Sequence, residues 1–130
     1  MHDPRYREGF RLYRDGRYWD SHEAWEELWR EAAGPPRHLL QALIQLDAAL
    51  IHTRRSHWSG VANLLARALA HLDHCPDQLW GLDLAALRAA LHRYREEILA
   101  LKEGRRRDFD WSLAPRLELR LDREIPGGQE

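Results

Sequence analysis

Between Asp83 and Gly104 the chain carries Leu84, Leu87, Leu91, Tyr94, Ile98 and Leu101, an apolar seam alternating by three and four residues. Only an α-helix puts residues so spaced on one face, and a seam of this length must be buried against other helices. Its bland partner is the chain's own bundle, and the sharper alternative is a dimeric coiled coil. Asp3 and Pro4 form a cap and first-turn pair and Gly16 a stop, predicting a first helix from Pro4 to Asp15. Asp20 with Glu23 caps a second helix running to Ala32, and Gly34-Pro35-Pro36 breaks the chain. A third helix follows from Arg37 to Arg54, a fourth from Ser59 to His74, and a fifth from the Asp83 cap to Glu103. Gly9, costly inside a helix, marks close approach of a neighbour.

The expected fold is therefore all-α: a compact bundle of about five helices in antiparallel hairpins, with a helical domain over 1–104 and a tail over 105–130. In the tail Leu117, Leu119 and Leu121 alternate with charges but have no second strand to pair with. It reads as an extended segment packed on the bundle and anchored by Phe109 and Trp111. A possible repeat lies in the first half, where Gly16-Arg17-Tyr18 followed by Ser21, Trp25 and Leu28 matches Ser56-His57-Trp58 followed by Val61, Leu65 and Ala68, at an offset of 40 residues. This resembles the helical hairpins of tetratricopeptide repeats, although two copies are too few for an array.

The chain has 130 residues, 44% apolar and 32% charged, enough for one domain with a real core. A net charge of -1 leaves no global field for nucleic acid, and Arg105, Arg106 and Arg107 form only a local patch. The longest apolar run, Leu39 to Ile51, is too short to span a membrane and is interrupted by Gln41, Gln45 and Asp47. The start of the chain is charged and lacks an apolar leader, so a cytoplasmic location is expected. The lone Cys75 excludes an intramolecular disulfide and a cysteine-based zinc knuckle, and reads as structural. Lys102 and Asn63 are the sole lysine and asparagine, a composition that suits a GC-rich genome and a thermophile.

The stretch Tyr18 to Arg30 stands out. His22, Glu26 and Trp29 fall on one side of a helix, with Trp25 beside them. A histidine and a carboxylate one turn apart can hold one metal ion, and they can equally form a hydrogen bond that fixes helix packing. A catalytic zinc needs a third protein ligand. The third helix offers Asp47, set inside an apolar stripe of Leu40, Leu43, Ile44 and Ile51, where a carboxylate must find a partner. Gln41, Gln45 and His52 form a polar stripe on the same helix. His57, His71, His74 and His92 read as surface or helix-end residues; His71 and His74 with Asp73 and Cys75 form a minor soft-metal candidate. There is no phosphate-binding glycine loop, nucleophile elbow or dinucleotide fingerprint.

The segment GRYWDSHEAWEELWR, Gly34 and the run LLQALIQLDAALIHTRRSHWSGV resemble the bacterial and archaeal family called domain of unknown function 309, over roughly Glu8 to Leu72. The resemblance implies a helical fold, places the family's HxxxExxW motif at His22, Glu26 and Trp29, suggests metal binding there, and assigns no reaction. The expected function is a metal- or small-ligand-binding site, with His22 and Glu26 holding a divalent ion and Trp25, Trp29, Gln45, Asp47 and His52 around the ligand. The alternative is a tetratricopeptide-like module for a protein partner in which the motif is structural. A homodimer through the fifth helix or the tail stands as a further expectation.

Overall fold

Asp3 accepts a hydrogen bond from the Arg5 backbone N–H, and Pro4 enters the first turn with its φ already set, so a helix starts there. The structure, a computed structural model, describes residues 2–120 and extends this start into α1 (Pro4–Arg14). There follow α2 (Tyr18–Trp29), α3 (Gly34–Arg54), α4 (Trp58–Leu72), a two-residue hairpin of β1 (Gln78–Leu79) and β2 (Leu82–Asp83), and α5 (Leu84–Lys102). A single 3-10 turn over Trp111–Leu113 interrupts the extended tail. Leu121 and the rest of the expected tail lie outside the described residues. α1, α2, α3, α4 and α5 pack in chain order, each against the next.

Several boundaries differ from expectation: α2 ends at Trp29 rather than Ala32, α4 runs from Trp58 to Leu72 rather than from Ser59 to His74, and the starts of α2 and α3 also move. α2 begins at Tyr18 rather than after Asp20, because the preceding turn, not a side-chain cap, sets its first residue; Arg17 makes no capping hydrogen bond. α3 begins at Gly34, because Pro35 and Pro36 occupy the first turn, where a missing N–H costs nothing. The β1–β2 hairpin was not expected. It turns through Trp80 and Gly81, both at positive φ (52° and 80°), and Leu79 pairs with Leu82.

The 40-residue echo in the sequence is an echo in the backbone. Gly16 and Ser56 both stand at positive φ (77° and 57°), and the next residues, Arg17 and His57, share φ near -90° and ψ near 70°. Arg17 N–H donates to Leu12 O as His57 N–H donates to His52 O, and Ser21 N–H to Arg17 O as Val61 N–H to His57 O. α1–α2 and α3–α4 are thus two hairpins closed by the same left-handed turn.

The α5 seam is buried within this chain: Leu84, Tyr94 and Ile98 are fully covered, and Leu87, Leu91 and Leu101 nearly so. The Leu39 to Ile51 run is the middle of α3 and is core; among the described residues no helix is long and apolar enough to cross a membrane. Gly9 plays the part its position suggested. A Cβ there would overlap the Trp25 indole, which lies against α1 and donates from Nε1 to Tyr6 O at 3.1 Å. The tail returns along the bundle: Phe109 packs on Tyr94 with ring centroids 5.1 Å apart, the Tyr13 hydroxyl donates to Pro115 O, and Arg120 N–H donates to Gly81 O. Trp111, expected as an anchor, touches Phe109 edge-on and stays 45% exposed.

These turns and contacts predict opposite effects for two small substitutions. Gly9→Ala must push α1 off Trp25 and should lose about 2–3 kcal/mol of stability. Ser56→Gly relieves a side chain held at φ 57° and should gain about 0.5–1 kcal/mol. Urea unfolding of both variants checks the pair.

Candidate functional site

α2 lies against α3 by way of two arginines at its ends. The Arg54 guanidinium sits 4.5 Å from the Tyr18 ring centroid and the Arg37 guanidinium 4.0 Å from that of Trp29. Each contact gains on the order of 0.5–1 kcal/mol where it is exposed. Tyr18, His22, Glu26 and Trp29 share one flank of α2 by their spacing, so the motif runs along the side that meets α3. Within it Glu26, itself half-buried, pairs with the exposed Arg30 at 3.2 Å. The His22 ring stacks parallel to Trp19, centroids 5.3 Å apart and 8° between planes, and its Nδ1 is buried without a hydrogen-bond partner among the described residues. Trp19 itself is 61% exposed.

The other residues expected around this motif are dispersed. Trp25 is not a wall of an open site: it is fully buried in the core, between Phe10, Tyr13 and Gly9. His52 faces His57 across the α3–α4 turn, with Nδ1 atoms 3.5 Å apart. Gln45 is half-buried and its Oε1 has no partner. On the α3 wheel Gln45 and Asp47 are about 200° apart, so they belong to different sides of that helix. Among the described residues no three His, Cys, Asp or Glu side chains gather as a metal-holding group.

Asp47 is the chemically unusual residue. It is fully buried, and among the described residues neither carboxyl oxygen has a hydrogen-bond partner. Burial pushes its pKa up to about 8, opposed only by the neighbouring Ser21 hydroxyl. That hydroxyl's own proton goes to Gly9 O at 2.9 Å, so its hold on the Asp47 carboxylate is weak. The Asp47 charge in turn adds to burial in raising the phenols of Tyr13 and Tyr18 above their usual range. A second buried pair, the Tyr94 and Thr53 hydroxyls, share a hydrogen bond, and Thr53 Oγ1 also bonds Ala49 O at 2.8 Å.

Tyr13 and Tyr18, with ring centroids 5.4 Å apart, have another face. With Arg14 and residues 114–120 they line a groove of about 650 Å³, which sequence reasoning did not find. Among the described residues Arg14 and Arg116 have no carboxylate within ion-pair distance, and Arg120 reaches Glu118 at 3.6 Å. Among the described residues its lining holds three arginines against one glutamate. The only trace of it in the sequence is the row of outward residues Arg116, Glu118 and Arg120; the wall they form is brought to Tyr13 by a contact 102 residues away in sequence.

Residues 6–64 match the family model described as domain of unknown function (DUF309), so the resemblance read in the sequence stands over α1, α2, α3 and the first half of α4. An uncharacterized protein of Aquifex aeolicus (strain VF5) is 30% identical over 89 residues, which is 68% of this chain. The chain spans only 26% of that relative's length. Tyr13, Tyr18, Ser21 and Asp47 fall within the matched family segment, whereas the 114–120 wall lies beyond it.

The buried carboxyl predicts a specific pH dependence. Asp47 holds its proton in the folded state to about pH 8, whereas the unfolded chain releases it near the ordinary value of 3.8. Between those values the folded state binds the extra proton, so this group's contribution to stability falls as pH rises. His38 and His71 act oppositely: burial lowers both below 6.5, so their contribution is lost as pH falls through that value. Above pH 6.5 the Asp47 effect stands alone of the three. Stability should drop by up to about 1.4 kcal/mol per pH unit between pH 7 and 8. Denaturant titrations across that range should show this slope in the native chain and its loss in Asp47→Asn.

Proposed function

We propose that this protein is a helical binding module for a small organic anion, held in the groove between Tyr13, Tyr18 and residues 114–120. The observation that carries the reading is the lining of that groove: two tyrosines, with Arg14 and Arg116, which have no carboxylate partner among the described residues. Its volume of about 650 Å³ suits a small molecule. Guanidinium groups recognise carboxylate and phosphate through paired N–H donors, and tyrosine rings supply an apolar surface for the remainder of the ligand. In this reading His22, Glu26 and Trp29 serve the α2–α3 contact. Trp29 is held by Arg37, and Glu26 is engaged by Arg30 rather than turned to a ligand. A divalent metal at His22 and Glu26 has only one observation in its favour, the unpartnered His22 Nδ1.

Phenyl phosphate and benzoate are suitable probes, because each joins an anion to an aromatic ring. Titration of either into the ¹⁵N-labelled chain should move the amides of Tyr13, Arg14, Tyr18 and residues 116–120 saturably. Arg14→Ala combined with Arg116→Ala should weaken binding at least tenfold, about 1.4 kcal/mol or more. Saturable shifts confined to the His22–Trp29 flank, or none with either probe, would reject the groove as the site.

A further inference from the structure

The sequence scatters His38, His71 and His74, but the α3–α4 hairpin brings them together at the end of the bundle away from its left-handed turn. His38 sits one turn into α3, His71 in the last turn of α4, and His74 just beyond it. The Nδ1 atoms of His38 and His71 approach to 2.9 Å, and the His74 ring stacks on His38 with centroids 4.1 Å apart and 11° between planes. Two imidazole nitrogens that close must share either one proton or one cation.

The surroundings favour the cation. Among the described residues no carboxylate forms an ion pair with any of the three rings, so nothing nearby rewards protonated imidazole. Burial, the mutual proximity of the rings and the Arg37 charge all hold His38 below its usual pKa, and burial with the two other histidines does the same for His71. Neutral imidazole is the metal-binding form. Cys75 is not a ligand here: its Sγ donates to Pro35 O at 3.4 Å and lies 3.7 Å from His71 O, and burial raises its pKa, so it stays a thiol.

We infer that His38 and His71 form a two-imidazole site for a late transition divalent cation (zinc, nickel or copper), which exposed His74 completes by turning its ring. Metal–nitrogen bonds of about 2.0–2.1 Å at a tetrahedral centre need the nitrogens about 3.3 Å apart, a few tenths of an ångström beyond the observed separation. The three side chains do not already surround one point, so binding requires that small opening and the His74 rotation. His38 falls within the family segment and His71 and His74 beyond it, and none of the three belongs to the His22–Glu26 motif.

The test is titration of untagged full-length chain with Zn²⁺ and Ni²⁺ at pH 7.5, read by calorimetry and by histidine side-chain ¹⁵N spectra. One equivalent should bind, with the His38 and His71 Nδ1 resonances shifted to metal-bound positions. His38→Gln and His71→Gln should each weaken binding at least tenfold while His22→Gln leaves it unchanged. The wild-type spectra decide the assignment even if a variant folds poorly. Absence of saturable binding, or binding that shifts His22 and spares His38 and His71, overturns the inference and leaves the pair sharing a proton.

Discussion

The rest of the structure hangs on the contact between Gly9 and Trp25. A glycine in the middle of α1 lets the Trp25 indole lie directly against the helix backbone, where its Nε1 takes the Tyr6 carbonyl. That draws α1 and α2 together closely enough for Ser21 to bond the Gly9 carbonyl and for Tyr13 to meet both Trp25 and Tyr18. The interior so closed seals Asp47 from water, and the same two tyrosines take part in the lining of the groove. One close approach thus sets both the electrostatics of the interior and the shape of the surface next to it.

Asp47 is the cost of this arrangement. A carboxyl buried without a partner is destabilising by on the order of 1–3 kcal/mol even when neutral, and far more when charged. The fold responds by keeping it protonated. Residues of this kind are enriched at functional sites, and here the buried carboxyl and the groove share Tyr13 and Tyr18. The two hairpins with their matching turns give the scaffold that holds these elements, with Arg54 tying one turn to the other through Tyr18 and the Gly16 carbonyl at 2.8 Å.

The helices were legible because each carries its own periodicity and punctuation, and the α5 seam and the 40-residue echo are local patterns that survive in the fold. Gly9 and Asp47 were legible as violations, a glycine inside a helix and a carboxylate inside an apolar stripe. The start of α2 was misplaced because a turn sets it where a side-chain cap was expected, and that of α3 because the proline pair read as a break forms its first turn. The β1–β2 hairpin escaped notice because two-residue strands have no period to read. Trp25 was placed beside His22 by helical rotation, and it does lie about 60° from it on the wheel; what the wheel could not show is that α1, opened by Gly9, closes over that edge and buries it. The groove and the His38–His71 approach could not be read at all: each joins residues tens of positions apart whose rotational phase only the packed structure defines.

The most direct measurement of this account is the pH titration of the Asp47 carboxyl carbon by ¹³C NMR in the folded chain. A protonated-type shift at pH 6 with a midpoint near 8 is the predicted result. A midpoint below 5 would mean that the carboxyl is ionised in the fold, with water or a partner reaching it, and would contradict the sealed interior that the Gly9–Trp25 contact is argued to create.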